Sequence, residues 1–167
     1  MANGDDYSVR IESAVKEINE KITSGMIQRG YAAANELRNS SQAILRGQRS
    51  GRVYNVPGTG RMKYYKRTKT AKITFRKYTA SAPGEPPAVR TGAFRGSWQA
   101  KTESKRTGDG VTVQSYIESS IRTDNGKYLL GEILEDGTGR MAPRPYQEQI
   151  KQDALPKIVK IYKRPYM

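Results

Sequence analysis

The sequence predicts an α+β fold in a single domain of 167 residues. The N-terminal part repeats apolar residues at the three- and four-residue steps of a helix face, at Ile11, Val15, Ile18, Ile22 and Met26. Val111 and Val113 alternate with polar residues, as in a strand with one buried face. Between these patterns, residues 46–79 are basic and turn-rich, and we expect an extended hairpin arm beside a small antiparallel sheet.

The first pattern predicts one long N-terminal helix over residues 7–45. Gly25 and Gly30 fall inside it, and each costs about 1 kcal/mol relative to alanine in a helix interior. We therefore expect a kink near these glycines. Such a long helix must pack on the sheet or on neighbouring copies of the chain. Three polar residues near its start are suited to cap it: Asp5, Asp6 and Ser8.

Residues 80–167 are expected to form the body of the domain. The Pro-rich residues 80–87 should run extended. Trp98, the single tryptophan, is expected in the core or as the anchor of a subunit contact. The remaining predicted elements are a short helix over 92–98 capped by Thr91, strands at 98–102 and 111–119, a short helix over 127–134, and a C-terminal helix over 146–162 that is kinked at Pro156.

The positive charge is local. The formal net charge is +14, from 30 basic and 16 acidic residues, but residues 37–84 hold 12 of the basic residues and no acidic one. The rest of the chain is nearly neutral. The basicity is therefore a property of the arm and its flanks rather than of the whole fold.

Aromatic residues are interleaved with the cations of the arm, a pattern typical of nucleic-acid binding. An acidic protein partner explains the same charge, and an arm that contacts neither remains a third interpretation. The predicted contact residues, for DNA or for a partner protein, are Arg52, Arg61, Lys63, Lys66, Arg67, Lys69, Lys72, Arg76 and Lys77.

Composition argues against an enzyme. Cysteine and histidine are absent, which removes thiolate nucleophiles, the usual general base and the usual zinc ligands. The acidic cluster Glu132, Glu135 and Asp136 is expected to be a solvated surface or to face a basic partner, and the Gly58-Thr59-Gly60-Arg61 segment to be a hairpin turn rather than a phosphate loop. We therefore predict no catalytic residues, no metal site and no cofactor.

No apolar run approaches the roughly 20 residues that span a bilayer. The N-terminus, with its early aspartates, also lacks the features of a signal peptide. We expect a soluble protein without a membrane partner, made and used in the cytosol.

Two segments resemble a known family. Residues 81–98 read Ser-Ala-Pro-Gly-Glu-Pro-Pro-Ala-Val-Arg-Thr-Gly-Ala-Phe-Arg-Gly-Ser-Trp, and residues 135–146 read Glu-Asp-Gly-Thr-Gly-Arg-Met-Ala-Pro-Arg-Pro-Tyr after a tyrosine at 128. In this order they resemble the head–tail joining, or tail-completion, proteins of long-tailed bacteriophages. The resemblance covers residues 81–161, roughly half of the chain. The departures are mild: Leu129-Leu130, Asp136, Phe94 and Tyr146 differ from the residues most frequent in the family, and the basic arm is not a shared motif.

The resemblance implies a structural virion protein with no catalytic residues. Such a subunit assembles as a ring, expected to be hexameric, in the neck between the DNA-filled head and the tail tube, with DNA passing through the lumen. Its partners would be other copies of itself, neighbouring neck and tail-tube proteins and, transiently, packaged DNA. It would be located in the virion, and in the host cytoplasm during assembly. The alternative function is a nucleic-acid-binding module that acts through residues 46–77.

The two segments also supply the predicted subunit interface. The Pro-Gly-Glu-Pro-Pro run pre-orders an extended segment, which lowers the entropy cost of docking it on a neighbour. Arg140 and Arg144 are expected to bridge to carboxylates such as Glu132 or Glu135 across the ring interface. The predicted interface residues are Pro83, Glu85, Pro86, Pro87, Glu135, Arg140, Arg144 and Tyr146.

Overall fold

A computed structural model describes the backbone of residues 4–108 and 110–166, and the side chains of residues 15–108 and 110–166. The side chains of the predicted caps, Asp5, Asp6 and Ser8, and of Ile11 lie outside the described residues. The fold is α+β, as predicted. The elements in chain order are α1 (Gly4–Arg46), β1 (Val53–Asn55), β2 (Arg61–Tyr65), β3 (Thr70–Thr74), β4 (Lys77–Thr79), α2 (Ala93–Gly96), β5 (Gln99–Thr107), β6 (Gly110–Glu118), α3 (Leu130–Asp136) and α4 (Gln147–Tyr162).

The strands form three separate antiparallel ribbons of two strands each: β1 with β4, β2 with β3, and β5 with β6. The β5–β6 ribbon belongs to the body, and the other two form the arm. β5 extends to Thr107, beyond the predicted end at residue 102, because its polar second half stays paired with β6 up to Gly110. That half is exposed, so burial periodicity gave no signal for it.

α1 packs against the β5–β6 ribbon and against α4. It runs unbroken through Gly25 and Gly30. Gly30 is buried where the helix crosses the ribbon, and a Cβ atom there would lie 2.6 Å from Val113 Cγ1 and 2.8 Å from Thr102 Cγ2. The glycine therefore allows a close approach of helix and ribbon, which offsets its low helix propensity.

The core lies where the C-terminal end of α1 meets α2 and α4. Leu45, Tyr146 and Ile150 are buried together, and Phe94 and Trp98 pack against them. The rings of Phe94 and Trp98 contact the Tyr146 ring edge to face, with centroid separations of 5.6 and 5.9 Å. Trp98 therefore packs on the core of the protomer, the first of the two positions expected for it.

The short helices differ in detail from the prediction. Thr91 was predicted to cap the first of them, but the N-cap is Gly92, which provides no side-chain bond, and the helix ends at Gly96. Thr91 instead accepts a hydrogen bond from the backbone N–H of Ala93 at the helix start. The predicted helix start at residue 127 is wrong. Gly126 adopts a φ of 71° in a turn, and the backbone of Tyr128 pairs with that of Thr123, so helical geometry begins only at Leu130.

The C-terminal helix covers nearly the predicted range, and Pro156 lies inside it, exposed. The chain after α4 returns to α1. Arg29 donates a 2.6 Å hydrogen bond to the carbonyl of Pro165, and its guanidinium stacks on the Tyr166 ring. Of the helices in the described part of the chain, none is long and apolar enough to cross a bilayer.

Candidate functional site

The arm has two tiers. The inner tier is the β1–β4 ribbon, and the outer tier comprises β2, β3 and the tip between them, residues 61–74. At the joint between the tiers, buried Val56 donates its backbone N–H to Arg76 O at 2.7 Å, and Arg76 N–H bonds to Thr59 Oγ1 at 3.1 Å. The Gly58-to-Arg61 segment lies in this joint, where Gly58 adopts a φ of 74°. It connects β1 to β2, which pair with β4 and β3, so it is a turn between two ribbons rather than the predicted hairpin turn.

The base of the arm is fixed to the body by hydrogen bonds. Gly51 and Arg52 pair with the backbone of Ala80 at 3.0 and 2.9 Å. The Glu85 carboxylate accepts three more bonds, from Ser50 Oγ at 2.6 Å, Ser50 N–H at 3.1 Å and Ala82 N–H at 2.8 Å. These bonds stabilise the charged form and lower the pKa of Glu85 to about 2. Glu85, predicted at a subunit interface, therefore links the arm to the Pro-rich segment within the protomer.

The outer tier is amphipathic. In an antiparallel ribbon, directly paired residues share a face and successive residues alternate between faces. One face of the outer tier carries Arg61, Lys63, Tyr65, Thr70, Lys72 and Thr74, and we call it the cationic face. The other carries Met62, Tyr64, Ala71 and Ile73, and we call it the apolar face. The apolar face is bare: Met62, Tyr64 and Ile73 are 75, 59 and 56% exposed.

The cationic face holds a like-charge pair. Lys63 and Lys72 lie directly opposite each other in the register. Such a pair destabilises a ribbon, and no acidic residue lies within the arm to relieve it. Among the described residues, no ion pair involves a cation of the outer tier; the ion pairs lie on α1, on α4 and between β5 and β6. Three further cations, Lys66, Arg67 and Lys69, occupy the exposed tip.

Two arginines of the acid-free residues 37–84 donate hydrogen bonds to backbone carbonyls of the body. Arg38 donates to the carbonyl of Trp98 at 3.2 Å. Arg49 donates to the carbonyls of Ile44 and Pro87 at 2.9 and 3.2 Å, and burial lowers its pKa. All nine predicted contact residues are exposed: Arg52, Arg61, Lys63, Lys66, Arg67, Lys69, Lys72, Arg76 and Lys77.

The two segments that resemble the phage family meet in the fold. Gly84 N–H bonds to Pro143 O at 3.2 Å. Arg144 donates to the carbonyls of Ser81 and Ala82 at 2.5 and 3.3 Å, and its own N–H bonds to Leu134 O. We call this contact the motif junction. Arg144 thus holds one segment against the other through backbone carbonyls.

Other predicted interface residues also have partners inside the protomer. The Glu135 carboxylate accepts the backbone N–H groups of Tyr146 and Gln147 at 3.0 and 3.3 Å, where a negative charge favours the start of α4. Tyr146 is 1% exposed and donates its hydroxyl to Gly131 O at 3.1 Å. Burial, with the Glu135 charge nearby, raises the pKa of Tyr146 to about 12.

The prolines of the Pro-rich segment divide by exposure. Pro86 and Pro87 are buried, whereas Pro83 is exposed, as is Arg140 in the second segment. A groove of about 700 Å³ opens beside the motif junction, and Pro87, Phe94 and Leu134 contribute to its walls. The exposed residues and this groove are the parts of the predicted interface that a second copy can reach, and their role there stays a prediction.

The acidic cluster does not form a metal centre in the part of the chain that is described, which holds no group of three or more Asp or Glu side chains suited to a metal ion. Glu135 caps α4, while Glu132 and Asp136 are exposed.

The amphipathic character of the outer tier was missed by our sequence reasoning. Its signal is the alternation of cationic and apolar residues from Arg61 to Tyr64, which is readable as period two.

Comparison with known proteins identifies no relative: no protein-family model, no curated protein and no solved structure significantly matches this chain.

Proposed function

We propose that this protein is a structural subunit of the neck of a long-tailed bacteriophage, where it forms a hexameric ring that joins the DNA-filled head to the tail. The observation that carries the proposal is the motif junction. The two segments that resemble the family lie far apart in the chain, yet they are bound together through Gly84 and Arg144. Segments that are hydrogen-bonded to each other in this way belong to one structural unit, which supports treating their two resemblances to the family together.

The exposed surfaces also suit an assembly subunit. In the part of the chain that the structure describes, hydrogen bonds fix the arm to the body at its base. Large apolar side chains of the arm lie in water, among them Met62 and Ile73. Val15 and Ile18 on α1 are exposed as well. Exposed apolar patches of this kind mark interaction surfaces, and a ring requires two different surfaces that fit head to tail. A structural rather than enzymatic role agrees with the absence of histidine and cysteine.

Electron microscopy and native mass spectrometry test the proposal. We expect closed rings of the purified protein, either alone or after addition of the neck and tail-tube proteins of the parent phage, and we expect labelled protein at the neck of virions. The variant Arg140→Glu should prevent ring closure, whereas Lys127→Glu, an equal charge change at another exposed position, should not. A protein that stays monomeric and binds none of these partners contradicts the proposed function.

A further inference from the structure

The cations of the β2–β3 ribbon lie on one face and its apolar side chains on the other. This arrangement indicates the chemical class of partner that the outer tier binds. Residues 61–74 hold six cations and no acidic residue. Three cations lie on the cationic face and three at the tip. The like-charge pair of Lys63 and Lys72 makes the unbound hairpin less stable than an uncharged pair would, and an anion bound between the two ammonium groups removes that repulsion.

The cationic face is not built like a protein–protein contact. The centres of protein interfaces are apolar or aromatic and depleted in lysine. Here the apolar side chains of Met62, Tyr64 and Ile73 point to the opposite face. The only aromatic side chain on the cationic face is Tyr65, and the centroid of its ring lies 5.5 Å from Lys63 Nζ. A dense row of cations with no apolar centre suits the phosphate backbone of a nucleic acid.

The shape of the outer tier favours duplex over single-stranded nucleic acid. Single strands are bound by several aromatic rings that stack on successive bases. Tyr64 and Tyr65 are adjacent in the chain but lie on opposite faces, so they cannot form a common stacking platform. An antiparallel ribbon of two strands, by contrast, fits the major groove of a duplex.

We propose that the cationic face and the tip of the outer tier bind the phosphate backbone of double-stranded DNA without sequence preference. The contact residues are Arg61, Lys63, Lys66, Arg67, Lys69 and Lys72. This inference deepens the proposed function and rests on it for the setting, a ring through which DNA passes. The binding itself is a property of the single chain, so it is tested without the ring.

The experiment uses the full-length protein and a short fluorescently labelled duplex, with binding measured by anisotropy over a series of salt concentrations. The logarithm of affinity should fall with the logarithm of salt by about 0.9 for each phosphate contact. The variant Arg61→Gln/Lys63→Gln/Lys72→Gln removes the cations of the face and should flatten this slope by about 2.7, three contacts at that increment. The matched control, Lys151→Gln/Lys160→Gln/Lys163→Gln, removes three exposed charges on and after α4 and should leave the slope unchanged.

A second variant separates binding from folding of the arm. Lys63→Glu converts the like-charge pair with Lys72 into an opposite-charge pair, which should maintain or raise the melting temperature. The same change should weaken duplex binding more than about tenfold, because it places a negative charge at the phosphate site. An unchanged affinity in this variant overturns the inference.

Three other results also overturn it. If the α4 control loses as much affinity as the arm variant, binding reflects net charge rather than the outer tier. If polyglutamate competes with the duplex at equal charge concentration, the arm fits an acidic protein. If a single strand of the same length binds more tightly than the duplex, the duplex assignment is wrong. Because ring formation is measured separately by microscopy, loss of DNA binding with intact rings rejects this inference and leaves the proposed function standing.

Discussion

The Ser115 hydroxyl donates a 2.8 Å hydrogen bond to the backbone carbonyl of Gly30, inside α1. The bond forms because Gly30 has no side chain to hold the β5–β6 ribbon away from the helix. It ties the centre of the longest helix to the middle of β6. The closeness of this contact makes the position sensitive to a single added methyl group.

Gly30→Ala should destabilise the protein, although alanine is the better helix former. The new Cβ would meet Val113 and Thr102 inside 3 Å, and overpacking of this kind costs about 1–3 kcal/mol. Gly25→Ala on the same helix is the control. Among the described residues, its Cβ would meet the Tyr166 ring, at 3.2 Å. Because this ring is exposed and can shift by a few tenths of an ångström, the variant should gain up to about 1 kcal/mol from helix propensity. Urea unfolding followed by circular dichroism measures both, and equal effects would argue against the close approach.

Glu135→Ala should cost about 1 kcal/mol in the free energy of unfolding, because it removes the carboxylate that caps α4 at Tyr146 and Gln147. Glu132→Ala, at an exposed position of α3, the helix that also carries Glu135, should have little effect. Chemical denaturation compares the two variants. An equal loss in Glu132→Ala would show that the cluster acts through its total charge instead.

Tyr146→Phe should cost about 1 kcal/mol at neutral pH, since it removes the bond to Gly131 O. The pH dependence of folding stability tests the role of the Tyr146 hydroxyl more specifically. The pKa of Tyr146 is about 12 in the folded chain and 10.0 as an ordinary tyrosine, so the unfolded chain loses its proton first as the pH rises. Folding stability of the wild type should therefore fall as the pH rises above 10, and the Phe variant should lack this component of the fall. Thermal melts at alkaline pH test it, and parallel curves for both proteins would contradict it.

Glu85→Gln should lower the melting temperature at neutral pH, because the amide cannot reproduce three bonds to a charged carboxylate. Since the folded pKa is about 2 and the ordinary value is 4.5, this contribution is fully present above the ordinary value and is lost as the pH falls toward 2. The melting temperatures of the two proteins should converge over that range. A difference that persists unchanged to the acid limit would assign the effect to packing.

Replacement of residues 51–79 by a short Gly-Ser linker should preserve folding but damage head–tail joining. The core of Leu45, Tyr146 and Ile150 and the motif junction lie outside the deleted segment. Cooperative thermal unfolding measures the first effect, and complementation of a phage that lacks the gene measures the second. A molecule that no longer unfolds cooperatively would show that the arm is part of the core.

Much of the fold was predictable because its signals are local. The period of Val15, Ile18 and Ile22 identifies the helix, and Pro86 and Pro87 identify the extended segment. The exposed second half of β5 and the late start of α3 at Leu130 were missed. Both depend on backbone hydrogen bonds between segments, which the apolar pattern of residues 103–107 or of residues 127–134 does not reveal.

The candidate site was only partly predictable. The cations of the arm could be identified from composition, and their alternation with Met62 and Tyr64 was present in the sequence but unused. The partners of Glu85, Glu135 and Arg144 could not be found this way. Their spacing along the chain is equally compatible with contacts inside the protomer and contacts between subunits.

The sequence by itself determined where helix, arm and extended segment lie, and that the positive charge is concentrated on one of them, because composition and periodicity act on neighbouring residues. Tertiary structure alone decided that Arg144 reaches back to Ser81 and that Glu135 caps α4, since hydrogen-bond partners of a charged group are chosen by proximity after folding. It also decided which cations hydrogen-bond to carbonyl groups of the body, as Arg38 and Arg49 do, and which lie on the exposed surface of the arm.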